Sequence, residues 1–246
     1  MNWFDLSGQK ALVTGGSGAL GRALAEALIE AGATIAIAGT SERTQVVASD
    51  IGAIPLLADL SRRAERPRLY DEAVAALGRL DILVVCHGLI TRHKAEDFPL
   101  SEWDTNLNMN LTSVFELCQL AGQDMLARGS GKIIAIASML SFSGGVTVPA
   151  YAASKGGVVQ LTKALANEWA GRGVNINAIA PGYFDTPLAA GVKNDPVRYR
   201  QVLDRIPAGR WGEPTDLKGA VVFLASRASD YVHGIVLPVD GGWLAR

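Results

Sequence analysis

K-A-L-V-T-G-G-S-G-A-L-G, residues 10–21, is the stretch that decides the fold. Lys10 to Thr14 is a short apolar run of the kind that forms a buried strand, and it breaks into Gly15, Gly16, Gly18 and Gly21. From Arg22 to Glu30 the apolar residues recur at helical spacing, and Ala31-Gly32 closes that segment. A strand that passes through a glycine-rich turn into a helix leaves backbone N–H groups unpaired at the positive end of the helix. Small side chains let an anion approach them, so the turn suits a pyrophosphate. Gly16, Gly18 and Gly21 spell G-x-G-x-x-G where that spacing carries meaning, after a strand and before a helix.

The alternation continues along the chain. Strand-like runs follow at Thr34–Ala38, Ile54–Ala58, Asp81–Val85, Ile133–Ala137, Val174–Ala180 and Ile235–Val239. Helical periodicity marks Arg62–Leu77, Ser101–Arg128, the segment from Ala150 to Ala170, and Glu213–Ala225. Ser101 followed by Asp104 resembles a capping box. Strands that are apolar throughout and alternate with helices indicate a parallel sheet covered on both faces. No repeat, linker or composition shift divides the chain. The expectation is a single α/β domain over 1–246, a doubly wound Rossmann-type parallel sheet of about seven strands.

Composition narrows the functional classes. Hydrophobic residues make up 49% of the 246 and charged residues 19%, which suits a folded α/β chain and argues against disorder. The net charge of −1 gives no sign of a nucleic-acid partner or an anionic membrane surface. Cys86 and Cys118 both lie in apolar segments and read as buried thiols of a reducing compartment, not as a disulfide framework. The start M-N-W-F-D-L-S-G lacks a signal peptide's basic and apolar regions, and no apolar run approaches the roughly 18 residues of a membrane span. A soluble, cytoplasmic protein is expected. No His/Cys/Asp cluster has metal-ligand spacing, so no metal site is expected.

Reaction chemistry concentrates in S-M-L-S-F-S-G-G-V-T-V-P-A-Y-A-A-S-K, residues 138–155. Tyr151 and Lys155 are one helical turn apart on the same face. An ammonium beside a phenol favours the phenolate, so the Tyr151 pKa is expected to fall from about 10 toward working pH. Such a phenol can pass a proton to or from a reacting oxygen. Ser138, at the end of the preceding strand, can hydrogen-bond the same oxygen, or simply cap the strand end. For the cofactor, the second strand ends Ala38-Gly39-Thr40-Ser41, without the carboxylate that would hold a ribose 2′-OH. Arg43 can reach a 2′-phosphate but, on a loop, also reads as a solvated side chain. NAD is the preferred expectation and NADP the alternative.

Together these residues resemble the short-chain dehydrogenase/reductase family over essentially the whole chain. The matching motifs are Thr14-Gly15 with Gly21, Asp59, Asn110 in M-N-L-T-S-V, Ser138, Tyr151-x-x-x-Lys155 and Pro181-Gly182. The resemblance implies that Tyr151 is the general acid/base and that Ser138 polarises the substrate oxygen. It implies that Lys155 binds the nicotinamide ribose, Asn110 helps hold a relay water and Asp59 contacts the adenine. Cofactor contacts are expected from Gly15, Ser17, Gly18, Leu20, Gly21, Thr40, Asp59, Leu60, Cys86, Gly88, Tyr151, Lys155, Pro181 and Gly182. It implies a homotetramer as well, with the Ser101 and Ala150 helices at its interfaces. Two positions depart from the family pattern. Ala19 replaces the middle glycine of T-G-x-x-x-G-x-G, and Cys86-His87-Gly88 replaces N-A-G after the fourth strand. A lone His there reads as packed or hydrogen-bonded, not catalytic.

The segments Arg205–Gly219, Ala228–Arg246, Ala137–Gly145 and Ala166–Ala170 resemble those of 2-deoxy-D-gluconate 3-dehydrogenases. Gluconate 5-dehydrogenases are near neighbours, and carrier-protein 3-oxoacyl reductases share the frame. The implied reaction is hydride transfer between nicotinamide and a secondary alcohol of a sugar acid, at C3 for 2-deoxy-D-gluconate. A sugar acid needs a cation near Tyr151, and Arg92, on the rim after the fourth strand, is the candidate for its carboxylate; a solvated basic loop is the other reading. Phe184–Arg210, with Pro187, Pro196 and Pro207 around a short helical pattern, is the candidate lid. A non-catalytic nucleotide-binding regulator is the alternative class, one that loss of Tyr151 or Lys155 would have favoured.

Overall fold

Seven largely apolar runs become the strands of one parallel sheet, the inner ones buried on both faces. They are β1 (Lys10–Thr14), β2 (Thr34–Gly39), β3 (Ile54–Leu57), β4 (Ile82–Val85), β5 (Gly131–Ile136), β6 (Val174–Pro181) and β7 (Val236–Val239). The computed structural model describes residues 2–186 and 189–245. The strand order is β3-β2-β1-β4-β5-β6-β7. The chain winds outward from β1, then returns to pair β4 against β1 and winds outward the other way. The crevice at that reversal, beyond the carboxyl ends of β1 and β4, is where open α/β sheets bind ligands.

Successive residues on each strand point to opposite faces, so two cores form. Leu12, Leu83, Val85, Ile133 and Ala135 pack beneath α3 (Glu65–Leu77), α5 (Ser113–Arg128) and α6 (Pro149–Trp169). Val13, Ile37, Ile82, Val84 and Ile134 pack beneath α1 (Ala19–Glu30), α2 (Arg43–Ile51) and α9 (Lys218–Ala225). A third cluster of Met139, Val192, Val202, Ile206, Trp211 and Trp243 seats two short helices, α7 (Ala190–Lys193) and α8 (Pro196–Leu203), over the crevice.

Several local expectations are corrected. Arg43 is not on a loop: it is the first residue of α2, whose Val47 and Ala48 are buried and whose end is closed by Gly52 at φ 73°. Helix α1 begins at Ala19, three residues earlier than its apolar periodicity suggests, because Gly18 is its extended N-cap. The Ser101–Asp104 capping box does not form; Pro99 precedes α4 (Leu100–Leu107), and no side chain caps it. The segment expected as one helix from 101 to 128 is interrupted by a π-turn at Asn108–Thr112. Cys118 is buried, whereas Cys86 is only half-buried; both thiols are free.

The π-turn is held from both sides. Asn108 donates Nδ2 to the Ser61 carbonyl at 2.8 Å and accepts Arg66 Nη2 at 2.6 Å. Arg66 is fully buried, and its other nitrogens meet the Leu60 carbonyl at 3.0 Å and Glu116 at 2.6 Å. A buried guanidinium needs such complete pairing. On the other side Asn110 clamps the loop after β4. A five-residue hydrogen-bond register inside a helix is rare and tends to mark a functional position.

Candidate active site

A cavity of about 720 Å³ opens at the carboxyl ends of β1, β4, β5 and β6, under α7 and α8. Its inner end is the turn between β1 and α1, with Gly15, Gly18, Ala19, Leu20 and Gly21 in the wall. No side chain caps α1, and its first turn carries no acidic residue, so its N-terminal donors face the cavity uncontested. The turn is tight. Gly15 has φ +66°, and a Cβ at Gly21 would stand 2.2 Å from the Gly15 carbonyl oxygen. These features fit a dinucleotide pyrophosphate. Ala19 lies in the wall as the first residue of the helix, so the family's middle glycine is replaced at a position that tolerates a methyl.

At the middle of the cavity Ser138 lies just beyond the end of β5, and α6 opposes it with Tyr151 and Lys155. Ser138 does what both of its readings require. Its Oγ accepts the Leu140 N–H at 3.1 Å, capping a short 3₁₀ turn, while its hydroxyl also bonds the Tyr151 phenol. Lys155 is buried and donates Nζ to the Ile136 carbonyl at 2.6 Å, 5.9 Å from the centre of the Tyr151 ring. Burial pushes its ammonium down to about 8. The expected fall of the Tyr151 pKa is corrected: it is raised, because desolvation of a phenolate outweighs the bond from Ser138. The Lys155 charge is turned to a backbone carbonyl rather than to the phenol.

Asn110 is fully buried and stands behind the wall, not in it. Its Oδ1 accepts the Leu89 N–H at 2.9 Å, and its Nδ2 donates to the Leu89 carbonyl at 2.8 Å and to Ser154 Oγ at 3.3 Å. The side chain is thus committed to the backbone after β4. Gly88 and Cys86 line the cavity, as do Pro181 and Gly182 after β6. Ser17, Thr40, Asp59 and Leu60 are not brought into its wall. Asp59 accepts the N–H and hydroxyl of Ser61 at 3.0 and 2.7 Å, and that hydroxyl, with the backbone bond, holds its carboxyl below the usual range. Leu60 is a core residue.

The charged lining of the cavity is cationic. Arg43, Arg92, Lys155, Arg198 and Arg205 line the cavity, and no described Asp or Glu does. Arg92 has its pKa lowered, first by burial and then by the charge of Arg198. Arg198, on α8, and Arg205, just beyond it, also act on Tyr183 together with Arg92. The Arg205 guanidinium lies 4.2 Å over the Trp243 ring. Sequence reading found Arg92 and Arg43 but missed Arg198 and Arg205. Their signal was available in R-Y-R-Q-V-L-D-R, residues 198–205, two turns apart in the segment singled out as a lid. Pro187 of that segment, like Arg246 at the end of the tail, lies outside the described residues. Among the described residues no group of three or more His, Cys, Asp or Glu could hold a metal ion, and no helix is long and apolar enough to cross a membrane.

Known proteins share this architecture. Residues 16–244 match the family model described as enoyl-(acyl carrier protein) reductase. The chain is 50% identical to the 2-dehydro-3-deoxy-D-gluconate 5-dehydrogenase of Bacillus subtilis, over 99% of this chain and 97% of that one. A solved structure from Beutenbergia cavernae, provisionally described as an NAD(P)-dependent gluconate 5-dehydrogenase with NADP bound at low occupancy, superposes with a TM-score of 0.97 at 47% identity, covering both chains fully. Another from Agrobacterium tumefaciens, provisionally described as a 2-deoxy-D-gluconate 3-dehydrogenase with bound NADP, gives 0.92 at 45% identity, again over all of both chains. With a glycine-lined turn, a Ser138–Tyr151–Lys155 centre and these likenesses over its whole length, the chain belongs to the short-chain dehydrogenase/reductase family and is an oxidoreductase.

Proposed function

We propose that this protein is an NADP-using dehydrogenase of six-carbon sugar acids, acting at C5 of 2-dehydro-3-deoxy-D-gluconate. The observation that carries this is a proton-transfer pair, Ser138 and Tyr151, in a cavity whose charged lining is entirely cationic among the described residues. A carboxylate substrate fits the Arg92–Arg198 end, where two guanidinium groups lie close with no acid between them in the wall. The name of the Bacillus subtilis relative supports C5 as the reacting carbon. A second reading, C3 of 2-deoxy-D-gluconate, is favoured by the description of the Agrobacterium tumefaciens structure.

Gly15, Gly18, Leu20 and Gly21 would hold the pyrophosphate and Lys155 the nicotinamide ribose. Arg43, brought to the cavity by α2, would hold a 2′-phosphate; this and the NADP in both neighbouring structures support NADP over the NAD expected from sequence. The bound nicotinamide supplies the hydride acceptor or donor. Ser138 donates its hydroxyl proton in a hydrogen bond to the reacting oxygen, and Tyr151 exchanges the substrate's hydroxyl proton. With its pKa raised, Tyr151 rests as a phenol at neutral pH, the form that donates to a ketone. Oxidation of the alcohol requires its phenolate, which the hydrogen bond from Ser138 and the charge of Arg92 favour.

The homotetramer implied by the family resemblance is part of this reading, supported by Leu100 on α4 and Phe115 on α5, large apolar side chains left exposed in a single chain. The deciding assay is nicotinamide reduction with 2-dehydro-3-deoxy-D-gluconate, 2-deoxy-D-gluconate, gluconate and a 3-hydroxyacyl thioester, each with NAD⁺ and NADP⁺. Preferential turnover of the first with NADP⁺ is expected. Turnover of the thioester alone would overturn the sugar-acid assignment. An unchanged KM for the preferred sugar acid in Arg92→Ala would remove Arg92 from the carboxylate site.

A further inference from the structure

His87 stands where the family pattern N-A-G has its alanine, and its imidazole is hydrogen-bonded at both ring nitrogens. Nδ1 lies 2.8 Å from Thr14 Oγ1, at the end of β1, and Nε2 lies 2.6 Å from Ser113 Oγ, at the start of α5. The partners decide the tautomer. Ser113 donates its own proton to the Met109 carbonyl at 2.6 Å, so its oxygen is left to accept from Nε2–H. Nδ1 is therefore the acceptor, and Thr14 donates to it. Thr14 Oγ1 in turn accepts the Cys86 N–H at 3.2 Å. The result is a one-way chain running from the Cys86 amide through Thr14, His87 and Ser113 to the Met109 carbonyl, with one proton at each link.

That chain ends inside the π-turn. Ser113 Oγ bonds the Met109 carbonyl, four residues back, within the stretch where the helical register is lost. The next residue, Asn110, carries the clamp on the Leu89 backbone, and a Cβ at Gly88 would stand 3.0 Å from Asn110 Oδ1 and 3.8 Å from Lys155 Nζ. Movement of the π-turn is thus passed through a few ångströms of packed atoms to the cavity wall beside Lys155.

We propose that His87, as the neutral Nε2–H tautomer, is a positioning residue that holds the π-turn and thereby the Asn110 clamp beside Lys155. His87 is part of the cavity lining, but its ring hydrogen-bonds Thr14, Ser113 and the Met109 carbonyl and not the Tyr151 phenol. Its neutrality agrees with a pKa pushed down to about 3, first by burial and then by the charges of Lys155 and Arg66.

The test compares His87→Leu, which fills much of the volume but makes neither bond, with His87→Asn, which restores one donor and one acceptor. Hydrogen exchange of residues 107–113 is read on the unmodified protein and each variant without nucleotide, alongside kcat and KM on the best sugar acid. His87→Leu is expected to speed exchange in 107–113 about tenfold, the size expected for a buried hydroxyl bond lost, and to lower kcat more than it raises KM. His87→Asn is expected to recover most of both losses. Ser113→Ala, which cuts the same chain while keeping His87, is expected to reproduce the exchange change and serves if His87→Leu does not fold. Unchanged exchange in 107–113 for the cut variants, or no recovery in His87→Asn, would overturn the proposal. The kinetic arm rests on the sugar-acid reading, but the exchange arm does not, so failure to turn over any sugar acid would sink that reading and leave this one decidable.

Discussion

Replacing Lys155 by methionine should make the protein more resistant to urea at neutral pH than at alkaline pH, relative to the unmodified chain. The ammonium is buried and its pKa is pushed from 10.5 to about 8 by desolvation. A shift of that size corresponds to about 3 kcal/mol of penalty for keeping the group charged in the folded state. Below pH 8 both folded and unfolded chains hold the proton, and the folded state bears the whole penalty. Between pH 8 and 10.5 the unfolded chain keeps its proton while the folded chain has released it, so folded stability rises with pH in that window. The methionine variant lacks this titration. Its stability minus that of the unmodified protein should therefore fall by about 2.5 kcal/mol between pH 7 and pH 10. The Ile136 carbonyl loses its donor in the variant, which enters mainly as a pH-independent offset of about 1–3 kcal/mol and does not affect the slope. Urea unfolding at fixed protein concentration, without nucleotide, at pH 7, 8, 9 and 10 measures the difference directly. A difference constant across that range would refute the claim that Lys155 is buried at a thermodynamic cost. Turnover should be lost in the same variant, as when a strained functional group is exchanged for a stable one.

Tyr151→Phe should lower kcat by about 10²–10⁴-fold with little change in nucleotide affinity, since only the proton-transfer group is removed; a loss under about tenfold would point to another acid/base. Arg43→Leu should weaken NADP⁺ binding by about 10- to 100-fold and leave NAD⁺ binding nearly unchanged, as expected for one charge-assisted contact to phosphate; titration with both nucleotides reads it, and equal losses would count against a 2′-phosphate contact. Arg66→Met should destabilise the fold by about 3–5 kcal/mol, because Glu116, Asn108 and the Leu60 carbonyl lose a fully buried partner. Denaturant unfolding would show this, and a change below about 1 kcal/mol would mean that the buried network is dispensable.

The doubly wound sheet was readable because its inner strands are buried on both faces, which forces unbroken apolar runs such as Ala11–Val13 or Ile82–Val85. The glycine turn was readable for a similar reason: Gly21 has no room for a Cβ, so backbone packing and ligand approach demand the same residue. Tyr151 and Lys155 could be paired from spacing alone, since helical geometry fixes their relation. Less periodic features escaped. Helix α2 presents only Thr44, Val47 and Ala48 to the core, too few apolar positions to stand out in R-T-Q-V-V-A-S-D-I. The Ser101–Asp104 spacing mimicked a cap because a capping box is defined by local spacing, while the helix start is decided by Pro99.

What the sequence determined by itself, then, was the fold class, the order of its elements and the placing of Tyr151 and Lys155 on one helix face, all of which depend on periodicity and short-range spacing. Only the tertiary structure decided the sign of the Tyr151 shift, because desolvation depends on what closes over the phenol and on where the Lys155 ammonium points. It alone brought Arg198 and Arg92 to one cavity, since 106 positions separate two charges that act on each other only when α8 is seated over the crevice. It alone showed His87 joined to Thr14 and Ser113, a contact between the ends of two strands and a helix that no local pattern encodes.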